Sequence, residues 1–269
     1  MEQYVRGRPH PALAGLVADY GGYRETSSAP VRRRQAPRGG CAMILGLGPP
    51  LRLHGPAGPL VPTSFLAGLH ESAVVTEFVG EQAGLQVNLT PLGVFTLLGR
   101  PTSDLTNLTP ELAELDVPAL GGLPERLCHD PDWESRFARV DATLLGLLDA
   151  SRTRPDPEVT WAWGRLVRTS GAVGVADLAA GTGWSRRHLL TRFRSQIGLA
   201  PKAAGRVLRF ERAAGMLVPT LAERDHGARA HATLADVAAA CGYADHSHLD
   251  REFRSLAGCT PSEYVAGWG

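Results

Sequence analysis

Two short stretches of this 269-residue chain, 186–194 and 246–254, crowd arginine, histidine, serine and threonine around a spaced apolar pair. The pair is Leu189 and Phe193 in the first stretch and Leu249 and Phe253 in the second, four residues apart each time. On a helix that spacing puts the pair on one side and leaves the other side polar and basic. A guanidinium presents a rigid fork of donors to two acceptors at once, and hydroxyls and imidazoles donate or accept. Such a face is suited to the base edges and phosphates of a duplex. Catalysis has less to work with. The cysteines Cys41, Cys128, Cys241 and Cys259 form no CxxC pair, so they read as reduced thiols. Gly21-Gly22 and Gly121-Gly122 read as turns, because no phosphate-loop or nucleophile-elbow motif is present.

The elements that must position these faces come as an internal repeat. Leu178-Ala-Ala-Gly-Thr-Gly-Trp-Ser is echoed by Val237-Ala-Ala-Ala-Cys-Gly-Tyr-Ala. Leu189, Phe193, Gly198 and Pro201 match Leu249, Phe253, Gly258 and Pro261 at an offset of 60, whereas Gly183 and Gly242 are 59 apart. The second copy therefore has one extra residue in its turn. Each copy reads as a short helix, a turn at a glycine with positive φ, an aromatic plug (Trp184 or Tyr243) and a second helix. Ser185 and Asp245 are placed to cap the second helices. The spacing predicts a helix over Pro201–Leu217 joining the copies, and Thr260-Pro-Ser-Glu263 predicts a capping box opening a last short helix.

The paired units, with A-x-x-x-G plus an aromatic, L-x-x-x-F and a closing G-x-T-P-S-x-Y from Gly258 to Tyr264, resemble the DNA-binding domain of the AraC/XylS family. The resemblance covers residues 159–267, about 40% of the chain. Two departures stand out: Ala200-Pro201-Lys-Ala-Ala replaces a segment that often ends in tyrosine, and the connection Val218–His231 is long. The resemblance implies that the second helix of each unit enters the major groove of double-stranded DNA. The outward positions are then Arg186, Arg187, Leu190, Thr191 and Arg194 in the first unit. In the second they are His246, Ser247, His248, Asp250 and Arg251. Arg187 is suited to guanine O6 and N7, Leu190 and Thr191 to a thymine methyl, and His246 and Arg251 to base reading in the second unit. Arg192 and Arg254 read as structural, being nearer the apolar side or the helix end. Arg206, Arg209 and Arg212 flank the connecting helix, near the DNA backbone or solvated.

The first 125 or so residues are rich in Gly and Pro. Ala42–Leu47, Thr63–Leu69, Val74–Val79 and Leu85–Leu89 read as short strands of an antiparallel barrel or sandwich. Leu92–Leu98 begins a short helix, and Asn88-Leu-Thr-Pro-Leu-Gly93 resembles a segment found in one subgroup of the family. Trp133, Phe137, Val140, Leu144 and Leu148 predict an amphipathic helix of about 18 residues, either a dimer interface or a stripe packed on its own sheet. Ser151–Glu158, with two prolines, reads as a linker. The fold class expected is α+β. Residues 1–150 form a cupin-like, effector-binding and dimerising domain, 151–158 the linker, and 159–269 an all-α domain of two helix-turn-helix units.

A metal-dependent cupin enzyme needs clustered histidines, and His10, His54, His70 and His129 are scattered. A methyl-acceptor repair domain needs four zinc-clustered cysteines or a Pro-Cys-His acceptor site, and only Cys41 and Cys128, in Gly-Gly-Cys and Leu-Cys-His contexts, precede the repeat. No enzyme, metal or cofactor is therefore expected. From Gly164 onward there are 14 Lys+Arg against 9 Asp+Glu, and before it 14 against 18. A basic module joined to an acidic one suits a nucleic-acid partner. No apolar run reaches the roughly 20 residues of a membrane span, and the start of the chain does not resemble a secretory signal. The reading is a cytoplasmic regulator with DNA as partner, RNA polymerase if it activates, a small-molecule effector and a second copy of itself. Arg32-Arg33-Arg34 reads as an exposed basic run or as a partner for an anionic ligand.

Overall fold

The computed structural model describes residues 3–218 and 233–267. Seven strands come first: β1 (Gln3–Gly7), β2 (Val17–Gln35), β3 (Cys41–Gly46), β4 (Arg52–Gly55), β5 (Gly58–Leu60), β6 (Phe65–Ala67) and β7 (Val74–Leu89). They form one antiparallel sheet in the order β1-β2-β7-β3-β6, with β4 on the first half of β7 and β5 on β4. The antiparallel character is as expected, but the sheet does not close into a barrel. Its end strands β1 and β6 each pair with one neighbour among the described strands. β6 has only three residues, and the long β2–β7 ribbon bends where the register slips between Ser27 and Val31 opposite Gly80. Gly80 takes φ +81° there. The sheet curls, and its edges stay apart.

One face of the sheet carries Tyr20, Met43, Leu45, Leu85 and Val87, all buried. A helical layer covers it: α1 (Pro91–Leu98), α2 (Pro118–Gly121), α3 (Leu123–Cys128) and α4 (Trp133–Ala150). α4 is the expected 18-residue helix, and its aromatic stripe is spent inside the molecule. The rings of Trp133 and Phe137 lie where β-carbons at Gly22 and Gly7 would sit, and Phe137 stacks on Tyr20 at 5.8 Å. The stripe packs on the molecule's own sheet, the second of the two expected placements. The face of α4 left exposed runs through Glu134, Ala138, Ala142 and Gly146. The other face of the sheet holds a smaller cluster of Ile44, Leu51, Leu53, Phe65 and Phe78.

The rest is helical: α5 (Pro157–Arg168), α6 (Val175–Thr182), α7 (Arg186–Ile197), α8 (Pro201–Leu217), α9 (Leu234–Ala240), α10 (His246–Ala257) and α11 (Pro261–Ala266). The stretch read as a linker is pinned at both ends. Ser151 Oγ donates to Thr96 O at 2.6 Å, and residues 157–158 already belong to α5. Buried side chains run as one continuous cluster from the sheet through α4 into both repeat units. Most of the long connection Val218–His231 falls outside the described residues. No helix among the described residues is long and apolar enough to cross a membrane.

Candidate nucleic-acid interface

Each repeat unit is three helices, α5–α6–α7 and α8–α9–α10, with α11 closing the second. In the first unit Leu178 and Ala179 of α6 are buried, and Gly183 turns the chain at φ +70°. Trp184 packs half-buried beside that turn, and Ser185 Oγ accepts from His188 N at 3.2 Å to start α7. In the second unit Thr233 and Asp236 form a capping box, Val237 and Ala238 are buried, and Gly242 turns at φ +72°. Tyr243 is buried, and Asp245 Oδ1 accepts from His248 N at 2.7 Å. The extra residue of the second copy, Ala244, lies between plug and cap, so both second helices still start from a capped turn.

Leu189, Phe193, Leu249 and Phe253 are fully buried, which turns the opposite faces of α7 and α10 outward. Arg186, Arg187, Leu190, Thr191 and Arg194 are all exposed along α7, as are His246, Ser247 and Arg251 along α10. The other two predicted positions are half-buried. His248 sets its ring edge-on to Tyr243 at 5.2 Å, and its Nδ1 accepts from Ala244 N at 3.3 Å. Asp250 faces His246 at 3.5 Å, one turn away. His188, the counterpart of His248, lies edge-on to Trp184 at 4.4 Å, so an imidazole braces the aromatic plug in both units.

Position 192 and its counterpart 252 point away from this face and make matching ion pairs of opposite sense. Arg192 binds Asp156 through two bonds of 2.7 and 2.8 Å, and Glu252 accepts from Arg206 of α8 at 3.1 Å. The structural reading of Arg192 holds. Arg254 differs: it is exposed, eight residues after His246 and four after Asp250, on the outward face of α10. It is the counterpart of Arg194, and the offset of 60 was the signal that identifies it. Arg209 lies over the Tyr243 ring at 5.7 Å, and Arg212 is exposed. The Arg32–Arg34 run is spent within the chain, on Glu77, Glu25 and Cys259 respectively.

The electrostatics of the two faces differ. α7 contains no acidic residue and opens with Arg186 and Arg187, where the helix dipole is itself positive. Two cations there work against α7 by some tenths of a kcal/mol each. An anion at the same place reverses that sign, since helix N-termini and arginines both favour phosphate. α10 carries Asp250 and Glu252 among its basic residues and is the less positive face.

Asp156 joins the parts of the first unit. Besides Arg192, it accepts from Gln196 Nε2 at 2.7 Å, while its own N–H donates to Gln196 Oε1 at 2.8 Å. Gln196 is 1% exposed. The Arg192 bonds hold the Asp156 carboxyl below the usual range, against the opposing pull of desolvation and with help from Gln196. Its stabilising contribution is therefore complete above the ordinary Asp value of about 4 and is lost as pH falls through the depressed one. Asp156→Ala leaves Gln196 Nε2 buried without its acceptor and is expected to cost about 1–3 kcal/mol at pH 7. Urea unfolding at pH 7 and at low pH checks this: the gap between wild type and variant narrows in acid. A constant gap contradicts the ionic role.

A family model described as a helix-turn-helix domain matches residues 178–267. No curated protein matches the sequence. Among solved structures, ToxT from Vibrio cholerae O395 is 12% identical, with a TM-score of 0.52, over 94% of this chain and 100% of that one. The C-terminal domain of AraT, a response regulator from Geobacillus stearothermophilus, is 18% identical over 42% of this chain and 88% of its own, at a TM-score of 0.36. The AraC-like transcriptional activator CuxR is 15% identical over 80% of this chain and 88% of its own, at 0.26. The ToxT match shows a shared fold, a curled antiparallel sheet followed by a helical domain. The duplicated, capped units fall within the matched helix-turn-helix domain, so the part of the chain that resembles the AraC/XylS family carries a helix-turn-helix domain on a ToxT-like fold.

Proposed function

We propose that the protein is a sequence-specific regulator that lays α7 and α10 into two adjacent major grooves of one duplex and answers to a small molecule. The observation that carries this reading is the duplicated outward face. Two helices of the same build bury Leu and Phe on one side and expose Arg, His, Ser and Thr on the other. Arg187, Leu190, Thr191, His246 and Arg251 read base edges in this scheme, and Arg186, Arg194, Ser247 and Arg254 are placed for bases or phosphates. His248 and Asp250 shape the second helix from their half-buried positions. Residues 1–150 then form the sensing domain, 151–158 the joint and 159–269 the DNA-binding domain.

Effector sensing is supported by the inner face of the sheet. Glu25 and Gln82 are 4% and 5% exposed there, and Gln82 Oε1 has no hydrogen-bond partner among the described residues. The crystal structure of the fold neighbour ToxT is of a form bound to (E)-4-(8-methylnaphthalen-1-yl)but-3-enoic acid, and a small-molecule effector is proposed here by analogy with it. The exposed face of α4 is the surface for a homodimer, which equilibrium sedimentation checks, and RNA polymerase is the further partner of an activator.

Selection from a random pool of duplex DNA, with the full chain at two salt concentrations, tests the reading. Two short enriched blocks about one helical turn apart are expected, with affinity falling steeply in salt. Arg187→Ala relaxes preference within one block and His246→Ala within the other, each by about 1–3 kcal/mol of discrimination. If both variants select the same site as the parent, α7 and α10 are not the reading helices.

A further inference from the structure

The C-terminal end of α7 is held from outside its own unit. Thr102, in the short helical turn Thr102–Leu105 after α1, donates its hydroxyl to Gln196 O at 2.9 Å. Thr106, just past the same turn, donates to Gly198 O at 2.8 Å. These are carbonyls at the end of a helix, which α7 itself cannot satisfy. Thr102 is 1% exposed, and Gly198 closes α7 at φ +102° with Thr102 and Thr106 packed against the place of its missing β-carbon.

The second unit serves as an internal control. At the offset of 60, Gln196 becomes Leu256 and Gly198 becomes Gly258. Leu256 is a fully buried apolar side chain, as a helical core position ordinarily is. A β-carbon at Gly258 would meet nothing. No described side chain donates to Leu256 O or Gly258 O. The polar, clamped version of this helix end therefore occurs only in the unit that abuts α1 and its following turn, and it is not demanded by the fold of a unit.

We infer that Thr102 and Thr106 are positioning residues for DNA reading by the first unit: they fix the far end of α7, so the sheet-bearing half of the chain sets how that helix meets its groove. The inference rests on the reading of α7 and α10 as the DNA-contacting helices. A rotation of α7 about its capped start, allowed by loss of the clamp, moves Arg194 and Thr191 and leaves α10 where it is.

The test is duplex selection and affinity measurement with the full chain carrying Thr102→Val with Thr106→Val, beside Thr102→Ser with Thr106→Ser. Valine keeps the shape and removes both hydroxyls, whereas serine keeps them. The valine pair is expected to lose preference in the block read by α7 and about tenfold in affinity, with the α10 block intact. The serine pair is expected to select like the parent. Retention of both blocks by the valine pair at parental affinity overturns the inference. Equal loss of both blocks overturns it too, because the hydroxyls would then serve the fold as a whole. If the unaltered chain enriches no site, the DNA reading itself fails and the inference falls with it.

Discussion

Phe253→Ala is expected to cost the protein about 3–5 kcal/mol, a large part of the ~5–15 kcal/mol that holds a typical domain together. Phe253 is fully buried, and its ring lies 4.7 Å from that of Phe210 and 5.6 Å from that of Tyr264. Phe210 and Tyr264 face each other in turn at 6.1 Å. The three rings come from α10, α8 and α11, so truncating the middle one opens a cavity where three helices meet and forfeits a tilted contact with Phe210 and an edge-to-face contact with Tyr264. Urea unfolding measures the loss. Phe253→Leu, which keeps most of the volume, is expected to cost about 1 kcal/mol. A loss near 1 kcal/mol for the alanine variant as well would show that the site collapses and that the three rings are not a packed unit. The functional consequence is specific, because the same residue that anchors the fold of the second unit also turns His246, Ser247 and Arg251 outward.

How much of this was legible in the sequence depends on how local each signal is. α4, α7 and α8 are where periodicity places them, and Ser185, Asp245 and Thr260 cap as expected, since caps and i,i+4 stripes involve residues a turn apart. β2 was not legible. Its sequence holds Gly21-Gly22, Ser27-Ser28 and Pro30, all turn signals, with no run of alternating hydrophobics. It is a strand because β1 and β7 pair with it along its two edges, and the bulge before Val31 absorbs Pro30, whose missing N–H would break a ladder. β7 was read as two strands for a related reason, the Gly80–Gly84 stretch. Gly84 is needed there because a β-carbon would collide with the Tyr23 side chain across the pair.

The candidate site was legible as far as the repeat carries it, and the repeat also identifies what was set aside. Arg254 lies at the position of Arg194, so its outward placement follows from the offset. The lock formed by Asp156, Arg192 and Gln196 joins residues 36 and 40 apart. No local pattern announces it, but a glutamine at the place where the other copy has leucine was a visible irregularity. The clamp from Thr102 and Thr106 spans more than 90 residues and depends on how the sheet half meets the first unit, which nothing in the chain order states.

That meeting of elements makes a last position critical. Gly171, between α5 and α6, takes φ +78°, is buried, and donates its N–H to Leu166 O at 2.8 Å. A β-carbon there would overlap the carbonyl of Gly205 in α8, and one at Gly205 would come within 3.1 Å of Gly171 O. The turn of the first unit and the connecting helix thus touch backbone to backbone, glycine on glycine. Gly183 and Gly242 share the positive φ, at 70° and 72°, but have open space around them. Alanine at any of the three incurs the left-handed strain of about 1–2 kcal/mol. Only at Gly171 does it also push α8 away, which adds about 1–3 kcal/mol of overpacking. Urea unfolding of the three alanine variants separates the two contributions, with Gly171→Ala expected to be the least stable by that margin. Equal losses at all three would mean that α8 yields freely and does not hold the units at a fixed spacing. A larger loss at Gly171, accompanied by weakened selection in both DNA blocks, is the outcome the geometry requires, because α8 carries the second unit and its approach to Gly171 sets the distance between α7 and α10.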